Sequence, residues 1–357
     1  MRTIQINGRM IGSDYPSYII AEIGSNYNGD LETAKKMIDL AKDSGVDAVK
    51  FQIFKEKTLY PPEAGVVDYL KMNKSINQLV IENEVPNEYH LQLLQYCNQV
   101  EVTYLCTPTD EVLADYLDEI GVGGFKIASY ALTHIPLLKH IAKKGKPIIL
   151  STGCTNLEEI AEAVRTIRET GNDQLILMQC VSQYPAEIEH TNINVINTLK
   201  TAFQLPVGMS DHSRDPYVVP YASAAIGADL IEKHYTLDRS QEGPDHSFAV
   251  EPDELKQMVM GIRSVEAAMG TSEKYVTEIE QEMRSFAHRS VFTTRQINKG
   301  EVISSENTAI LRPGKKQHGI APKYYEKILG AKIIRSVSAG EVVKWSDVVS
   351  YSSDQEE

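Results

Sequence analysis

Short apolar runs rich in β-branched residues recur eight times between residues 18 and 236, and this repetition constrains the fold more than any other feature. Amphipathic stretches with helical spacing lie between the runs, and a last one covers Pro252–Met269. Apolar runs that are each followed by a helix are typical of parallel strands in a sheet whose outer face is covered by those helices. The predicted strands are Tyr18–Ile23, Ala48–Phe54, Val102–Cys106, Gly124–Ser129, Pro147–Ser151, Leu175–Val181, Pro206–Ser210 and Leu230–Thr236.

Eight strand–helix units in roughly 240 residues predict an α/β fold, a (β/α)₈ TIM barrel. An open doubly wound sheet is the alternative, but no G-x-G-x-x-G motif follows the first run, which disfavours a dinucleotide-binding fold. We expect the barrel to occupy residues 1–270 and a polar, acidic linker to cover residues 271–284.

The sequence changes character after the predicted linker. Runs such as Ser290–Thr294 and Lys332–Ser336 are typical of short strands. Two phrases also echo each other, Asn298-Lys-Gly-Glu-Val-Ile and Ser338-Ala-Gly-Glu-Val-Val. These features predict a small β-rich domain over residues 285–352, followed by a disordered tail over residues 353–357.

Charge and composition exclude several functional classes. The chain carries 36 Lys+Arg against 49 Asp+Glu, a net charge of −13, which argues against binding to nucleic acids or to anionic membrane surfaces. No apolar run approaches the roughly 20 residues that a membrane-spanning helix needs, and the start lacks the apolar stretch of a signal peptide. The four cysteines are far apart, so we expect reduced thiols in a cytoplasmic protein.

Polar side chains cluster at the predicted C-terminal ends of the strands, where (β/α)₈ barrels build their active sites. Singly, each has a structural explanation, such as a lysine paired with Glu232 or a hydroxyl that caps a helix. Together, two lysines, several hydroxyls and two histidines in one barrel mouth would cost too much desolvation to be a packing accident. Lysines with hydroxyls suit a small dianion that carries phosphate and carboxylate. Two histidines on neighbouring strands, His212 and His234, suit a divalent metal such as Mn²⁺.

Eight short phrases spread along the chain point to one known family. They are Ala21-Glu-Ile-Gly-Ser-Asn-Tyr-Asn-Gly29, Val49-Lys-Phe-Gln52, Phe125-Lys-Ile-Ala-Ser129, Ser151-Thr-Gly153, Gly208-Met-Ser-Asp-His212, Glu232-Lys-His234, Gly243-Pro-Asp245 and Leu311-Arg-Pro-Gly314. Their identity and order resemble the phosphoenolpyruvate-dependent sialic acid synthase family, and the resemblance covers nearly the whole chain. It is closest to the spore-coat polysaccharide synthase branch, and the C-terminal domain resembles the antifreeze-like (SAF) domain of these synthases.

The resemblance implies a condensation. Phosphoenolpyruvate would add three carbons to an open-chain N-acetylated hexose, giving a nine-carbon 2-keto acid and phosphate. It implies Mn²⁺ on His212 and His234, with Mg²⁺ or Co²⁺ as alternatives, and a domain-swapped homodimer. Glu22, Lys50, Lys126 and Asp245 would be catalytic. The remaining implied substrate contacts are Gln52, Thr107, Ser129, Ser151, Ser182, Tyr184 and Ser210, with Phe286 and Arg312 reaching the active site of the partner subunit.

Two departures from the family pattern leave alternatives open. Ala131 stands where the family phrase usually ends in a glutamate, which predicts slow turnover. Ser182 stands where sialic acid synthases proper have an asparagine, which weakens the assignment of N-acetylmannosamine as the sugar substrate. One alternative is a related 3-deoxy-2-keto acid synthase that uses another aldose. The other is a catalytically silent, sugar-binding homologue.

Overall fold

A computed structural model describes residues 2–66 and 74–349, and the chain divides into two compact units with the boundary after Gly270. The predicted tail over residues 353–357 lies outside the described residues. Within the described residues, no helix is both long enough and apolar enough to cross a membrane.

The first unit contains the predicted barrel. An antiparallel hairpin, β1 (Ile4–Ile6) and β2 (Arg9–Ile11), precedes it. All eight predicted strands are present, and the order of the sheet is β5-β4-β3-β10-β9-β8-β7-β6 with every pairing parallel. The two end strands, β5 and β6, also pack side by side, so the sheet closes into a barrel. The strands are β3 (Tyr18–Gly24), β4 (Ala48–Ile53), β5 (Thr103–Pro108), β6 (Phe125–Ile127), β7 (Ile148–Ser151), β8 (Leu175–Cys180), β9 (Val207–Asp211) and β10 (Leu230–His234).

Helices follow every strand of the barrel, and several begin at a capping side chain. Asp30 accepts a hydrogen bond from the backbone N–H of Thr33, and Asn156 forms a capping box with Glu159. Three short helices, α2, α3 and α8, were not among the predicted elements. The helices are α1 (Leu31–Asp43), α2 (Glu56–Leu59), α3 (Ile76–Asn83), α4 (Asn87–Val100), α5 (Glu111–Glu119), α6 (Ile135–Ala142), α7 (Leu157–Arg168), α8 (Val195–Phe203), α9 (Val218–Ala225) and α10 (Pro252–Met269).

Two apolar clusters hold the barrel together. The larger lies between the outer face of the sheet and the helices. The smaller fills the N-terminal end of the barrel, where Ile4, Ile6 and Ile11 of the hairpin pack against inward residues such as Leu105 and Ile149. The hairpin therefore closes one end of the barrel with apolar side chains, and the polar residues lie at the other end.

The second unit contains α11 (Gln281–Ala287), the antiparallel pair β11 (Ser290–Thr293) and β12 (Thr308–Leu311), and α12 (Tyr325–Ile328). Helix α11 begins inside the stretch that was predicted as a linker. The predicted strand Lys332–Ser336 is wrong, because Lys332 and Ile333 make only isolated bridges, to Val302 and Val348.

The two echoing phrases form equivalent turns in this unit. In each turn, a glutamate carboxylate accepts a hydrogen bond from the backbone N–H three residues earlier, 3.0 Å away in both cases. Each glutamate also pairs with an arginine six residues before it, Arg295 with Glu301 at 2.6 Å and Arg335 with Glu341 at 2.8 Å. The sequence echo therefore corresponds to a repeated local structure.

Candidate active site

The barrel mouth holds a cavity of about 860 Å³ that collects most of the predicted site residues. Parallel pairing explains why they meet, since Glu22 lies in register with Lys50 on one side and with His234 on the other. Residues two apart on a strand share a face, so polar side chains alternate with apolar ones that point to the helices. The predicted residues that line the cavity are Glu22, Lys50, Gln52, Thr107, Lys126, Ser129, Ser151, Tyr184, Ser210, His212, His234 and Asp245.

Four buried charges form a connected cluster at the floor of the cavity. The ammonium of Lys126 lies 3.0 and 2.9 Å from the two carboxylate oxygens of Glu232. The ammonium of Lys50 lies 3.1 Å from Glu22 and 3.4 Å from Glu232. Two further donors complete the cluster, Gln52 Nε2 at 2.7 Å from Glu22 and Ser210 Oγ at 3.0 Å from Glu232. Neighbouring side chains thus hold both lysines in fixed positions.

The two carboxylates of the cluster have opposite pKa shifts. Burial raises the pKa of Glu22, although the nearby ammonium of Lys50 acts to lower it. Burial also acts on Glu232, but Lys126 and Lys50 outweigh it and hold the pKa of Glu232 well below its usual range. Glu232 is therefore a fixed anion, and Glu22 is the carboxylate more easily protonated.

Glu232 was not among the predicted substrate or catalytic residues. The sequence suggested only that it could be a structural partner of a lysine, whereas it contacts both lysines and Ser210. Its position two residues before His234 on β10 is the signal that could have identified it, because that spacing places both on the inner face.

Buried hydroxyls without partners surround the charge cluster. The side-chain oxygens of Thr107 and Ser151 have no hydrogen-bond partner among the described residues. A buried hydroxyl that makes no hydrogen bond costs free energy, so this arrangement fits a ligand that accepts hydrogen bonds. Thr107 and Ser151 line the cavity together with the two lysines. Hydroxyl groups beside ammonium groups are typical of an anion-binding site.

Ser182 does not line the cavity but packs behind Gly153. A Cβ atom on Gly153 would lie 2.3 Å from Ser182 Oγ and 2.8 Å from Ser129 Oγ. The backbone N–H of Gly153 donates to Ser129 Oγ at 2.9 Å. Glycine is therefore required at this position, because any side chain would displace the two serines.

The two histidines lie side by side, with ring centroids 5.3 Å apart. His212 Nδ1 lies 2.8 Å from the carbonyl oxygen of Val181, so this nitrogen is the donor, and in the neutral imidazole Nε2 keeps a lone pair. His234 Nδ1 has no hydrogen-bond partner among the described residues and lies 3.6 Å from a carboxylate oxygen of Asp245. Burial lowers the pKa of His234, which keeps its imidazole neutral.

This geometry fits a divalent metal held by two imidazoles. Burial lowers the pKa of His212, but the neighbouring Cys180 outweighs it and raises that pKa, so His212 would lose its proton on binding the metal. The hydrogen bond of His212 to a backbone carbonyl is typical of metal-binding histidines. No group of three His, Cys, Asp or Glu side chains within residues 2–66 and 74–349 is arranged to hold a metal. Water or substrate oxygens would therefore have to complete the coordination.

Aromatic rings and one acid surround the histidines. The ring of Tyr184 stacks on His212 with centroids 4.1 Å apart, and Phe248 lies edge-on to His234 at 5.0 Å. Burial, with the nearby charge of Glu22, raises the pKa of Asp245 to about 7. A carboxyl group with this pKa can donate or accept a proton near neutral pH.

The remaining predicted positions are Ala131 in the barrel and two residues of the second unit. Ala131 ends a turn of 3₁₀-helix over Ser129–Ala131 and lines the cavity. Phe286 and Arg312 belong to the second unit and are both exposed there. The backbone N–H of Gly314 donates to the carbonyl of Phe286 at 3.1 Å, which brings the phenyl ring next to the Arg312–Gly314 turn.

Comparisons with known proteins match both parts of the chain to known families. The family model described as "NeuB family" matches residues 37–274, and the one described as "SAF domain" matches residues 288–349. The chain is 42% identical to the spore coat polysaccharide biosynthesis protein SpsE of Bacillus subtilis, with 98% of each chain covered. It is 38% identical to N,N'-diacetyllegionaminic acid synthase of Legionella pneumophila, with 96% of this chain and 98% of that protein covered. The solved structure of N-acetylneuraminic acid (sialic acid) synthetase from Leptospira borgpetersenii, in complex with citrate, is 34% identical with a TM-score of 0.72, covering 79% of this chain and 95% of that one.

Proposed function

The chain belongs to the NeuB family of nonulosonic acid synthases, and we propose that it condenses phosphoenolpyruvate with an open-chain N-acetylated hexose. The products are a nine-carbon 2-keto acid and inorganic phosphate. The observation that carries the proposal is the pair of buried lysines, Lys50 and Lys126, beside unpaired hydroxyls and two adjacent histidines in one cavity.

Phosphoenolpyruvate binds at the floor of the cavity. Lys50 and Lys126 supply positive charge, and Thr107, Ser151 and Ser210 orient single oxygens of the phosphate and carboxylate groups. Gln52 and Ser129 complete this set. The unpaired hydroxyls of Thr107 and Ser151 support the proposal, because a bound anion would satisfy both.

The sugar binds above phosphoenolpyruvate, near the two histidines. Tyr184 and Asp245 contact it, and His212 and His234 hold a divalent metal, most simply Mn²⁺. When bound, the metal polarises the sugar aldehyde as a Lewis acid. An acceptor of the deoxygenated diacetamido class, or N-acetylmannosamine, fits the relatives that this chain is similar to.

The reaction requires one new carbon–carbon bond and the capture of a cation. Carbon C3 of phosphoenolpyruvate attacks the aldehyde carbon, and the aldehyde oxygen takes a proton from Asp245. Glu22 stabilises the positive charge that develops at C2 and accepts a proton from the water that adds there. The C2–O bond to phosphate then breaks, the hydroxyl proton of the adduct leaves with phosphate, and a ketone remains.

The active enzyme is a domain-swapped homodimer in which the second unit of the partner subunit supplies Phe286 and Arg312. The exposure of Phe286, 45% of its side chain, supports a role in contacting another molecule. Arginine suits a hydrogen bond to the carbonyl of an N-acyl group, because its guanidinium presents several donors in a fixed plane.

A phosphate-release screen tests the proposal. Purified protein with Mn²⁺ and phosphoenolpyruvate is offered N-acetylmannosamine, diacetamido-trideoxyhexoses and the neutral aldoses of 3-deoxy-2-keto acid synthases. Release only with the N-acetylated sugars supports the proposal, and release with the neutral aldoses alone would contradict it. Lys126→Met is the matched inactive control.

A further inference from the structure

We propose that Lys233, which does not line the cavity, is a positioning residue that fixes His212 relative to His234. The inference rests on the proposed metal site, since its consequence is the separation of the two imidazoles. Lys233 lies between Glu232 and His234 on β10, so its side chain points to the opposite face of the strand.

The ammonium of Lys233 is surrounded by acceptors from the end of β9 and the loop that follows it. It donates to Asp211 Oδ2 at 2.6 Å, to the carbonyl and the hydroxyl of Ser213, and to the carbonyl of Asp215 at 2.9 Å. Only 1% of Lys233 is exposed, and Asp211 is equally buried. Ser213 also donates two hydrogen bonds to the Asp211 carboxylate, one from its backbone N–H and one from its hydroxyl. These bonds further restrain the loop.

The contacts of Lys233 matter because the residues that it binds flank His212 in the chain. The ladder between β9 and β10 ends at the pair Asp211–Lys233, so His212 is the first residue beyond it. The acceptors for Lys233 come from residues 211, 213 and 215, which flank His212 on both sides. A single ammonium thus ties the strand that carries His234 to the loop that carries His212.

Apart from the ring contact with His234, the other contacts of His212 orient its ring without reaching β10. Its backbone carbonyl accepts from the N–H of Ala186 at 3.0 Å, and its Nδ1 donates to the carbonyl of Val181. Both partners lie in the segment after β8. Without the Lys233 side chain, the backbone ladder would still hold β9 to β10 as far as Asp211, but residues 213 and 215 would lose their bonds to β10. His212 would then be held less firmly relative to His234, and the 5.3 Å separation of the rings would be less well fixed.

The chain offers a matched control for the loss of a buried lysine. Lys200 on α8 is also buried and donates to Asp229 at 2.8 Å. Asp229 immediately precedes β10, so this ion pair lies at the opposite end of the same strand. Lys200→Met and Lys233→Met should both lower the stability of the barrel, whereas only Lys233→Met should change the geometry of the histidines.

The test measures binding of Mn²⁺ by electron paramagnetic resonance and of phosphoenolpyruvate by calorimetry, on the full chain. We expect Lys233→Met to raise the Kd for Mn²⁺ by about tenfold or more, as for residues that orient metal ligands. Lys200→Met should bind Mn²⁺ like the parent. Both variants should bind phosphoenolpyruvate within about threefold of the parent, because Lys50 and Lys126 are untouched.

Unchanged Mn²⁺ affinity in a folded Lys233→Met variant overturns the inference, as does an equal loss in Lys200→Met. If Lys233→Met does not fold, Ser213→Ala replaces it, since this change removes one acceptor and keeps the ion pair. Its Kd should then rise by about threefold, and an unchanged Kd overturns the inference. The parent and His234→Ala report separately on the proposed metal site. If the parent does not bind Mn²⁺, or His234→Ala binds it equally well, the metal site itself is wrong and the inference with it.

Discussion

Replacement of Glu232 by glutamine should unpair one buried lysine and strongly destabilise the barrel. Both hydrogen bonds of the Lys126 ammonium to the charge cluster go to Glu232, and only 2% of Lys126 is exposed. Lys50 would keep Glu22 at 3.1 Å, so a single charge loses its partner. Breaking a buried pair by removing one partner costs about 3–5 kcal/mol, and we expect the lower end because glutamine retains one oxygen acceptor.

Urea unfolding followed by far-ultraviolet circular dichroism measures this loss in the barrel. Fluorescence would not, because the single tryptophan, Trp345, lies in the second unit. With a slope near 3 kcal/mol per molar urea for a domain of this size, a loss of about 3 kcal/mol lowers the midpoint by about 1 M.

Two further variants separate an unpaired charge from a general disturbance of the site. Glu22→Gln should cost less than about 2 kcal/mol, because Lys50 retains Glu232 at 3.4 Å. Lys126→Met combined with Glu232→Leu should recover most of the loss, since replacing both members of a buried pair by apolar residues is often neutral. If Glu232→Gln costs no more than Glu22→Gln and the double variant is no more stable than the single one, an unpaired Lys126 is not the cause of the loss.

Three other perturbations test separate parts of the account. Ala131→Glu should raise kcat at least about tenfold with little change in phosphoenolpyruvate affinity, because it restores a carboxylate to the cavity wall; an unchanged kcat would mean that the site works without it. Burial lowers the pKa of His90 to about 4 from 6.5, so the folded state resists protonation, and stability should fall by up to about 3 kcal/mol as pH drops from 6.5 to 4. His90→Gln should lack that pH dependence in urea unfolding, and an identical profile would place the effect elsewhere. Mixing Arg312→Ala chains with Glu22→Ala chains should restore part of the activity, because one site per mixed dimer is then intact; no recovery would mean that Arg312 serves its own subunit or only the fold.

The strands of the barrel were predictable because each is buried on both faces and therefore reads as an unbroken apolar run. The polar site residues were predictable for the same reason, since a lysine such as Lys126 is conspicuous inside the run Phe125–Ile127. Helix α8 was missed because it follows a long irregular stretch after β8. The strand expected over Lys332–Ser336 failed because bridges to two different segments satisfy its backbone without a ladder.

The side-chain contacts between the site residues were harder to predict from the sequence than the site residues themselves. Lys126 and Glu232 are 106 positions apart, and only the closure of the barrel brings them together. Ser182 follows a strand like the other candidates, yet it packs behind Gly153, because the path of the loop decides where a side chain points after a strand ends. Sequence periodicity specifies the face of a residue within a strand but carries no such information beyond it.

Mass spectrometry of the products made from labelled phosphoenolpyruvate tests the central claim most directly. The oxygen that bridges C2 and phosphorus is supplied as the heavy isotope, with an N-acetylated hexose and Mn²⁺ present. The proposed reaction gives one nine-carbon 2-keto acid per phosphate released, with the heavy oxygen in the phosphate and an oxygen from water at C2. Heavy oxygen in the keto acid, or phosphate release without a nine-carbon product, would contradict it.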